Sequence, residues 1–182
     1  DNVRAALPSV SRAVTCTTRS PRDGELDGVD YYFLGEDEFL GRVEGGEFLE
    51  NAVVHGNHYG VLKSELRAKL AEGSDVLLNI DVQGAATIRE AAADDPVLSE
   101  ALVTVFLCPA SLGDLEQRLR GRGTDSDEII TKRLAVAREE MDQAGKFDHT
   151  LTSQTREFDL GQMLGIIERV RLAKQEIVST NE

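Results

Sequence analysis

The segment 75–81 is a nearly continuous apolar run, Asp-Val-Leu-Leu-Asn-Ile-Asp, and a helical pattern follows it at 84–93. Such a run predicts a strand that is buried on both faces, which is typical of parallel sheets covered by helices. The segment 103–107 has the same character and is again followed by a helical pattern. Two strands of this kind, each leading into a helix, favour an α/β fold.

Strand and helix patterns alternate through the rest of the chain. Strands are predicted at 12–17, 31–33, 48–55 and 149–152, and helices at 36–43, 63–70, 127–143 and 158–178, with a further helix that Ser111 would cap. The part from about 30 to 60 is the richest in strands. The sequence therefore predicts one domain of 182 residues, in which a parallel-sheet core carries a small β-rich insertion.

Composition excludes several classes of function. The formal net charge is −13, so we expect no binding to nucleic acid and none to an anionic membrane, both of which need a basic face. No apolar run approaches the ~20 residues of a membrane span. Cys16 and Cys108 are predicted to be buried thiols in a reducing compartment, and the three histidines show no metal-ligand spacing. We expect a cytoplasmic protein without a metal site of its own.

A loop with two arginines is the densest candidate for chemistry. Arg19 and Arg22 stand three residues apart between Thr18 and Gly24, and Tyr31 follows. Guanidinium groups bind phosphate well, often through two hydrogen bonds, and a tyrosine hydroxyl adds a neutral donor. The alternative is a solvated loop whose arginines pair with the abundant carboxylates of the chain.

Two carboxylates are candidates for recognising a base. Glu50 is predicted to share a strand face with Phe48, and a carboxylate beside an apolar wall suggests a bound ligand. One carboxylate can accept from both N1–H and the exocyclic amine of guanine, whereas adenine lacks this pair of donors. Asp81 ends a buried strand, where α/β sheets place ligand groups. The alternatives are a surface glutamate at position 50 and a helix N-cap at position 81.

Arginines also bracket the polar break at 121–125. Arg118, Arg122 and Arg133 would suit a lid that closes over phosphates and stabilises transferring charge. The alternative is pairing with acidic side chains on exposed helices, and we expect that of Arg120. Arg122, within Gly-Arg-Gly, is the stronger candidate for a phosphate contact.

Together these motifs resemble guanylate kinase, a nucleoside monophosphate kinase of the P-loop kinase superfamily. The matching stretches are TTRSPRDGELDGVDYYF, GEFLE, GNHYG, DVLLNIDVQGA and PASLGDLEQRLRGRGTD, in the family's order and spacing from Val10 to the last helix. The resemblance implies an α/β parallel-sheet P-loop-kinase-like core at 1–18, 72–117 and 146–182. It also implies a GMP-binding subdomain at about 19–71 and a helical lid at about 118–145.

The resemblance also implies a role for individual residues. The GMP phosphate would be held by Arg19, Arg22, Tyr31 and Tyr59, with Thr15 and Glu25 beside them. Glu50 and Asp81 would read guanine. Arg118, Arg122 and Arg133 would be the catalytic arginines, placed on the ATP phosphates.

Four departures from the family pattern stand in the sequence. The family's strand and G-x-x-x-x-G-K-[ST] phosphate loop would precede Asp1, and 1–7 is expected to be the tail of the helix after that loop. Val61 stands where Ser or Thr is common, and Asn79 where an acid is common. The fourth is 152–155, Thr-Ser-Gln-Thr in place of Val-Asn-Asp-Asp near the adenine.

The function implied is transfer of the γ-phosphoryl group of ATP to GMP by the full-length protein. The products are ADP and GDP, the partners are GMP and ATP, and Mg²⁺ would be bound with ATP. Positioning and charge neutralisation carry such a transfer, so arginines matter more than a nucleophilic side chain. The alternative is a non-catalytic guanylate-kinase-like module that binds GMP or a phosphorylated peptide. If the 182 residues were complete, we would expect weak GMP binding, low stability and no phosphoryl transfer.

Overall fold

The computed structural model describes residues 2–54, 56–123 and 125–180 of the chain. Helices and strands alternate as the sequence predicted, and the strands form parallel and mixed sheets. Contacts between Cα atoms divide the chain into two compact units, Val3–Leu102 and the part from Val103 onward. The finer division into core, GMP-binding subdomain and lid stays a prediction.

The first unit contains six strands and five helices within the described residues. The strands are β1 (Val10–Arg12), β2 (Thr15–Thr17), β3 (Tyr31–Phe33), β4 (Phe48–Val54), β5 (Asn57–Leu62) and β6 (Asp75–Leu77). The helices are α1 (Asn2–Ala6), α2 (Glu36–Glu44), α3 (Lys63–Ala71), α4 (Val82–Ala93) and α5 (Pro96–Ala101). The helical turn expected near the start of the chain is confirmed for α1.

Four strands make one sheet in the order β3-β2-β5-β4. β2 pairs with β3 in parallel and with β5 in antiparallel orientation, while β4 and β5 form an antiparallel hairpin. Cys16 and Leu62 point to one face, where they form an apolar cluster with Phe39 and Phe48. Thr15 of β2, Tyr31 of β3 and Val61 of β5 point to the other face and line a cleft.

A β-bulge between Phe48 and Glu50 interrupts this alternation. Phe48 pairs with Leu62 and Glu50 with Val61, so two residues of β4 oppose one residue of β5 across that step. Phe48 therefore packs in the apolar cluster and Glu50 lines the cleft. The prediction that both share a face is wrong, because a simple period of two does not account for the extra residue.

Leu49, inside the bulge, belongs to a second apolar cluster on this unit. It packs with Leu66 of α3, Ile88 and Ala92 of α4, and Leu98 of α5, all buried. The bulge thus lets consecutive residues of one strand enter two clusters and the cleft wall.

β1 and β6 form a separate parallel pair, in register from Val10 with Asp75 to Arg12 with Leu77. The predicted strand at 12–17 is instead two strands, because the chain leaves β6 after Arg12 and joins another sheet at Thr15. The predicted strand at 75–81 ends at Leu77, where its partner β1 also ends. Its residues are half-buried or exposed rather than buried on both faces.

The second unit contains β7 (Val105–Pro109), α6 (Leu112–Arg122), α7 (Asp127–Met141), a 3₁₀ turn (Ala144–Lys146), β8 (His149–Ser153) and α8 (Arg156–Thr180). β7 and β8 pair in parallel over five residues each. Ser111 caps α6 as predicted, with its hydroxyl accepting from the Asp114 N–H at 3.0 Å. Gly123, at φ +65°, ends that helix within the predicted polar break, of which Thr124 lies outside the described residues.

Pattern reasoning located most elements and missed two. β5 and α5 were not predicted, whereas the helices α2, α3, α4, α7 and α8 and the strands β3, β4 and β8 are confirmed within a few residues. His55, the predicted end of β4, lies outside the described residues. None of the described helices combines the length and the apolar character that a membrane crossing needs.

Gly60 of β5 makes the close approach of Phe48 possible. A Cβ built on Gly60 would lie 2.7 Å from Cδ1 and 2.9 Å from Cε1 of Phe48, and 3.0 Å from the Glu50 carbonyl oxygen. We therefore predict that Gly60→Ala lowers the free energy of unfolding by about 1–3 kcal/mol through overpacking. Urea unfolding followed by circular dichroism measures this change.

Gly41→Ala is the matched control, because nothing lies within 4 Å of a Cβ at Gly41 on α2. It should leave stability unchanged or raise it, since alanine favours a helix over glycine. Equal midpoints for wild type and Gly60→Ala would contradict the packing described for Phe48.

Candidate functional site

A cleft of about 760 Å³ lies within the first unit. Five residues predicted for the acceptor site line it: Thr15, Tyr31, Glu50, Tyr59 and Asp81. One wall is the sheet face opposite the Phe48 cluster, and another is the segment that follows β6. The carboxyl end of a parallel strand is a common ligand position in α/β folds, and the cleft lies there.

Strand register explains how these side chains converge. Thr15 is paired with Tyr31, and the neighbouring β5 places Tyr59 opposite Ala52 of β4. The rings of Tyr31 and Tyr59 meet edge to face, with centroids 6.2 Å apart. The two hydroxyl-bearing rings thus border the same part of the cleft.

Glu50 and Asp81 approach the same point from different elements. Glu50 is 8% exposed on β4, and Asp81 stands at the N-cap of α4. A Cβ built on Gly84 would lie 3.3 Å from Glu50 Oε2 and 3.4 Å from Asp81 Oδ1. The fold therefore brings the two predicted base-reading carboxylates together.

The electrostatic environment of Glu50 disfavours its charge. Burial first, and then the negative charge of Asp81, raise the pKa of Glu50 above the ordinary glutamate value. A partly buried carboxylate whose neighbour is another carboxylate is stabilised when a ligand supplies hydrogen-bond donors. This is the chemistry that a guanine edge would provide.

Asp81 is also a helix N-cap, which is the alternative role that the sequence allowed for it. Its Oδ1 accepts from the Gly84 N–H at 2.7 Å and so caps α4. Capping uses one carboxylate oxygen, so a second oxygen is left to face the cleft. The cap holds the aspartate in a fixed orientation.

Arg19 is held in place by Glu25 and by aromatic rings. Its Nη2 donates to Glu25 Oε1 and Oε2 at 2.8 and 3.0 Å, and its Nη1 donates to the Ser20 carbonyl at 2.7 Å. The guanidinium lies 5.4 Å from the ring centroid of Tyr31. Hydrogen bonding to Glu25 raises the pKa of Arg19 above its ordinary value. Arg19 therefore borders the tyrosine end of the cleft as a fixed cation.

Arg22 lies further out on the same loop. Its side chain is exposed, while its backbone N–H donates to Glu25 Oε2 at 2.7 Å. Glu25 thus ties the loop to Arg19. Pairing with a carboxylate, the alternative considered for these loop arginines, is observed for Arg19. Among the described residues, Arg22 forms no salt bridge.

Sequence reasoning missed Arg12. Its guanidinium lies 5.5 Å from the Tyr31 ring centroid, its Nη2 donates to the Asp30 carbonyl at 3.1 Å, and it lines the cleft. Tyr31 therefore has an arginine near its ring on two sides. Arg12 begins the predicted strand at 12–17, and its charge within a strand was the feature that could have indicated a ligand contact.

The three predicted catalytic arginines belong to the second unit. Arg118 of α6 donates to Ser153 Oγ at 3.1 Å and to the carbonyls of Ser153 and Gln154 at 3.3 Å each. Arg122 is the exposed last residue of α6, and Arg133 of α7 pairs with Asp125 at 3.0 Å. Within the described part of the unit, no hydrogen bond joins these three side chains to one another.

A smaller cleft of about 400 Å³ lies in the second unit. Arg118, Gln154 and Asp114 are among the residues that line it. It is bordered by the end of β8, where the sequence departs from the family pattern at 152–155. Arg120 pairs with Glu116 and Asp127, as expected of an exposed helical arginine.

Neither cysteine is among the residues that line the two clefts. Burial raises the pKa of Cys16 to about 11, so this thiol is inert in the apolar cluster. Cys108 is half-buried and not fully buried as predicted, because β7 leaves one face partly open. Within the described ranges, no group of three or more His, Cys, Asp or Glu side chains is arranged to hold a metal ion.

Comparison with known proteins now identifies the family. The guanylate kinase family model matches residues 7–169. A guanylate kinase of Bifidobacterium longum is 47% identical over 154 residues, which cover 84% of this chain and 77% of that protein. One of Aromatoleum aromaticum is 43% identical over 165 residues, with 91% and 78% covered. The chain belongs to the guanylate kinase family.

A solved structure agrees with this assignment. The crystal structure of guanylate kinase from Anaplasma phagocytophilum matches with a TM-score of 0.68 and 30% identity, over 92% of this chain and 80% of that one. The predicted fold class, a P-loop-kinase-like α/β fold, is confirmed for this guanylate kinase family member.

Two departures from the guanylate kinase pattern lie in the cleft. Val61 is 3% exposed and is paired with Glu50 across the bulge, so it presents an apolar surface beside that carboxylate. Asn79 lines the cleft between Leu78 and Ile80 and is exposed. Relative to the family pattern, Val61 lacks a hydroxyl donor, and Asn79 keeps a side-chain oxygen without a charge.

The raised pKa of Glu50 predicts a pH dependence of stability. The folded state binds this proton more tightly than the unfolded state does. Stability from this group is therefore present below the unfolded pKa and is lost as pH rises through the raised folded pKa. Glu50→Gln should become increasingly more stable than wild type as pH rises from 4 to 8, measured by urea unfolding at each pH.

A constant difference in unfolding free energy between the two proteins across this range would show that Glu50 titrates normally. Glu47→Gln is the control, because it makes the same substitution at a largely exposed glutamate just before β4. That variant should follow the wild-type curve.

Proposed function

We propose that the full-length protein transfers the γ-phosphoryl group of ATP to GMP, and that the cleft of the first unit of this chain holds GMP. The observation that carries the residue assignment is the convergence of Glu50 and Asp81 at one end of the cleft, with Tyr31, Tyr59 and Arg19 at the other. Glu50, Asp81, Tyr31 and Tyr59 line one cavity and Arg19 lies beside Tyr31, which supports assigning acceptors to a base and donors to a phosphate.

The base end selects guanine through its pattern of acceptors. The Glu50 carboxylate accepts from N1–H and the exocyclic amine of guanine, and Asp81 supplies a further acceptor. Adenine presents a lone pair at N1, which would face a carboxylate and leave both groups without a donor. Discrimination follows from the cost of leaving buried polar groups unpaired.

The phosphate end combines fixed donors. Arg19 and the Tyr31 and Tyr59 hydroxyls hold the GMP phosphate, Thr15 adds a hydroxyl, and Arg22 approaches from the loop. Glu25 fixes Arg19 before the ligand arrives, which lowers the ordering cost of binding. The phosphate is thereby oriented as the nucleophile for in-line attack.

The donor nucleotide involves the second unit. Arg118, Arg122 and Arg133 are assigned to the ATP phosphates, where their charge would stabilise the transition state. Mg²⁺ bound with ATP would supply positive charge that offsets the charge of the phosphates.

A phosphopeptide-binding role fits the cleft less well. The arginine and tyrosine end could hold a phosphorylated side chain. The Glu50 and Asp81 end would then remain a pair of close carboxylates without donors, which burial makes costly. GMP supplies donors to both ends.

The test of the proposed activity is a coupled assay for ADP formation by the full-length protein with ATP, Mg²⁺ and GMP. Wild type should require GMP for turnover. Glu50→Gln should lower kcat/KM for GMP roughly 10- to 100-fold, because a hydrogen bond to a charged group contributes about 1.5–3 kcal/mol.

Glu47→Gln is the control for this experiment, since Glu47 precedes β4 and is exposed. It should keep wild-type kinetics. Absence of GMP-dependent ADP formation by wild type would overturn the proposed activity, while equal kinetics for both variants would overturn the role of Glu50.

Arg19→Met should weaken GMP binding by about tenfold or more while leaving guanosine binding unchanged, because the arginine contacts only the phosphate. Calorimetric titration with the two ligands separates these effects. Methionine preserves most of the side-chain volume beside Tyr31.

Arg42→Met is the matched control, since Arg42 pairs with Glu38 at 2.8 Å on α2 and does not line the cleft. It should bind both ligands as wild type does. A parallel loss of GMP and guanosine affinity in Arg19→Met would mean that the arginine supports the loop and not the phosphate.

A further inference from the structure

Gly84 is the third residue of α4 and is buried beside the carboxylate pair. Its N–H donates to Asp81 Oδ1 at 2.7 Å, which any residue at this position could do. Its backbone is not in the left-handed region, which the described glycines at positive φ occupy elsewhere in the chain. Alanine would suit this helical backbone better than glycine, so another constraint must favour glycine.

That constraint is the space on its Cβ side. A Cβ at Gly84 would lie 3.3 Å from Glu50 Oε2, 3.4 Å from Asp81 Oδ1 and 3.4 Å from Ile80 Cβ. The methyl group would therefore crowd the Glu50 carboxylate, while it would touch Asp81 and Ile80 at ordinary van der Waals distance. Other helical glycines differ: nothing lies within 4 Å of a Cβ at Gly41 of α2 or at Gly161 of α8.

The two carboxylates would not respond equally. Asp81 is fixed by the cap it makes on α4. Glu50 has no hydrogen bond from a described residue that fixes its carboxylate, and it extends from β4 toward the helix. A methyl group at position 84 would thus displace Glu50 more than Asp81, by a few tenths of an ångström.

We propose that Gly84 is a positioning residue for base recognition: its missing side chain leaves the room in which the Glu50 carboxylate lines up with two donors of the bound base. The inference rests on the proposed function, because it names what sets the geometry of that site. A carboxylate that accepts two hydrogen bonds side by side is sensitive to small displacements, since both distances and both angles change together.

The test compares GMP with IMP, which keeps N1–H but lacks the exocyclic amine. In Gly84→Ala we expect the dissociation constant for GMP to rise about tenfold and that for IMP about threefold or less, measured by calorimetry. The preference for GMP over IMP should therefore fall. Gly41→Ala, the same substitution on an open helix face of the same unit, should change neither constant.

A second background separates positioning from general damage. In Glu50→Ala the carboxylate is absent and the methyl group has room, so adding Gly84→Ala should change GMP affinity less than about twofold. This double variant also relieves the contact, so it should fold even where Gly84→Ala alone is impaired. Such non-additivity is expected of residues that act through one another.

Three results would overturn the inference while leaving the proposed function intact. They are wild-type GMP affinity in Gly84→Ala, equal losses for GMP and IMP, and an undiminished loss in the Glu50→Ala background. Failure of the wild-type protein to bind GMP would instead overturn the proposed function itself.

Discussion

The extra residue in β4, between Phe48 and Glu50, decides where three consecutive side chains go. Phe48 stacks on Phe39 with ring centroids 4.4 Å apart, Leu49 enters the cluster beneath α3 and α4, and Glu50 reaches the cleft. A regular strand would send Phe48 and Glu50 to the same face. Bulges often re-aim a side chain at a functional site, and this one delivers an acid to the wall of a cavity.

Two glycines leave the space that the side chains of Phe48 and Glu50 occupy. The ring of Phe48 fits against the backbone of β5 because Gly60 has no side chain, and the Glu50 carboxylate fits against α4 because Gly84 has none. Neither glycine is needed for its φ angle. Both mark a close approach between elements, so the geometry of the base end depends on packing as much as on its polar groups.

The cleft concentrates opposite charges at its two ends. Glu50 and Asp81 repel each other when no ligand donates hydrogen bonds to them. Arg19 forms an ion pair with Glu25 and lies near the ring of Tyr31. The repulsion raises the free energy of the empty site, and a ligand with donors at one end and a phosphate at the other relieves it. GMP has this arrangement of groups.

Sequence reasoning predicted the residues of this site better than their orientation. Charged side chains in motifs predicted Arg19, Glu50 and Asp81, and the family resemblance added Tyr59. Of these, Glu50, Tyr59 and Asp81 line the cleft, and Arg19 lies beside Tyr31. The bulge was not predictable, since periodicity assigns faces only where the strand is regular. Strand β5 was overlooked because Gly and Asn in Gly-Asn-His-Tyr-Gly resemble a turn, although the register with β4 makes it a strand.

Sequence patterns also overestimated the length and the burial of the strand at 75–81. The apolar run indicated burial on two faces, but β6 ends at Leu77 because pairing with β1 ends there. Strand length is set by the partner strand, which lies far away in sequence. The residues past Leu77 gain a different role and line the cleft up to Asp81.

The most direct measurement of the central claim is the ratio of GMP to AMP affinity, obtained by titrating both nucleotides into the same protein preparation. The two ligands share ribose and phosphate, so their ratio isolates the carboxylate pair formed by Glu50 and Asp81. The account predicts that GMP binds at least about a hundredfold more tightly than AMP, because adenine leaves buried acceptors unpaired. Comparable affinities would show that the carboxylates do not read the base.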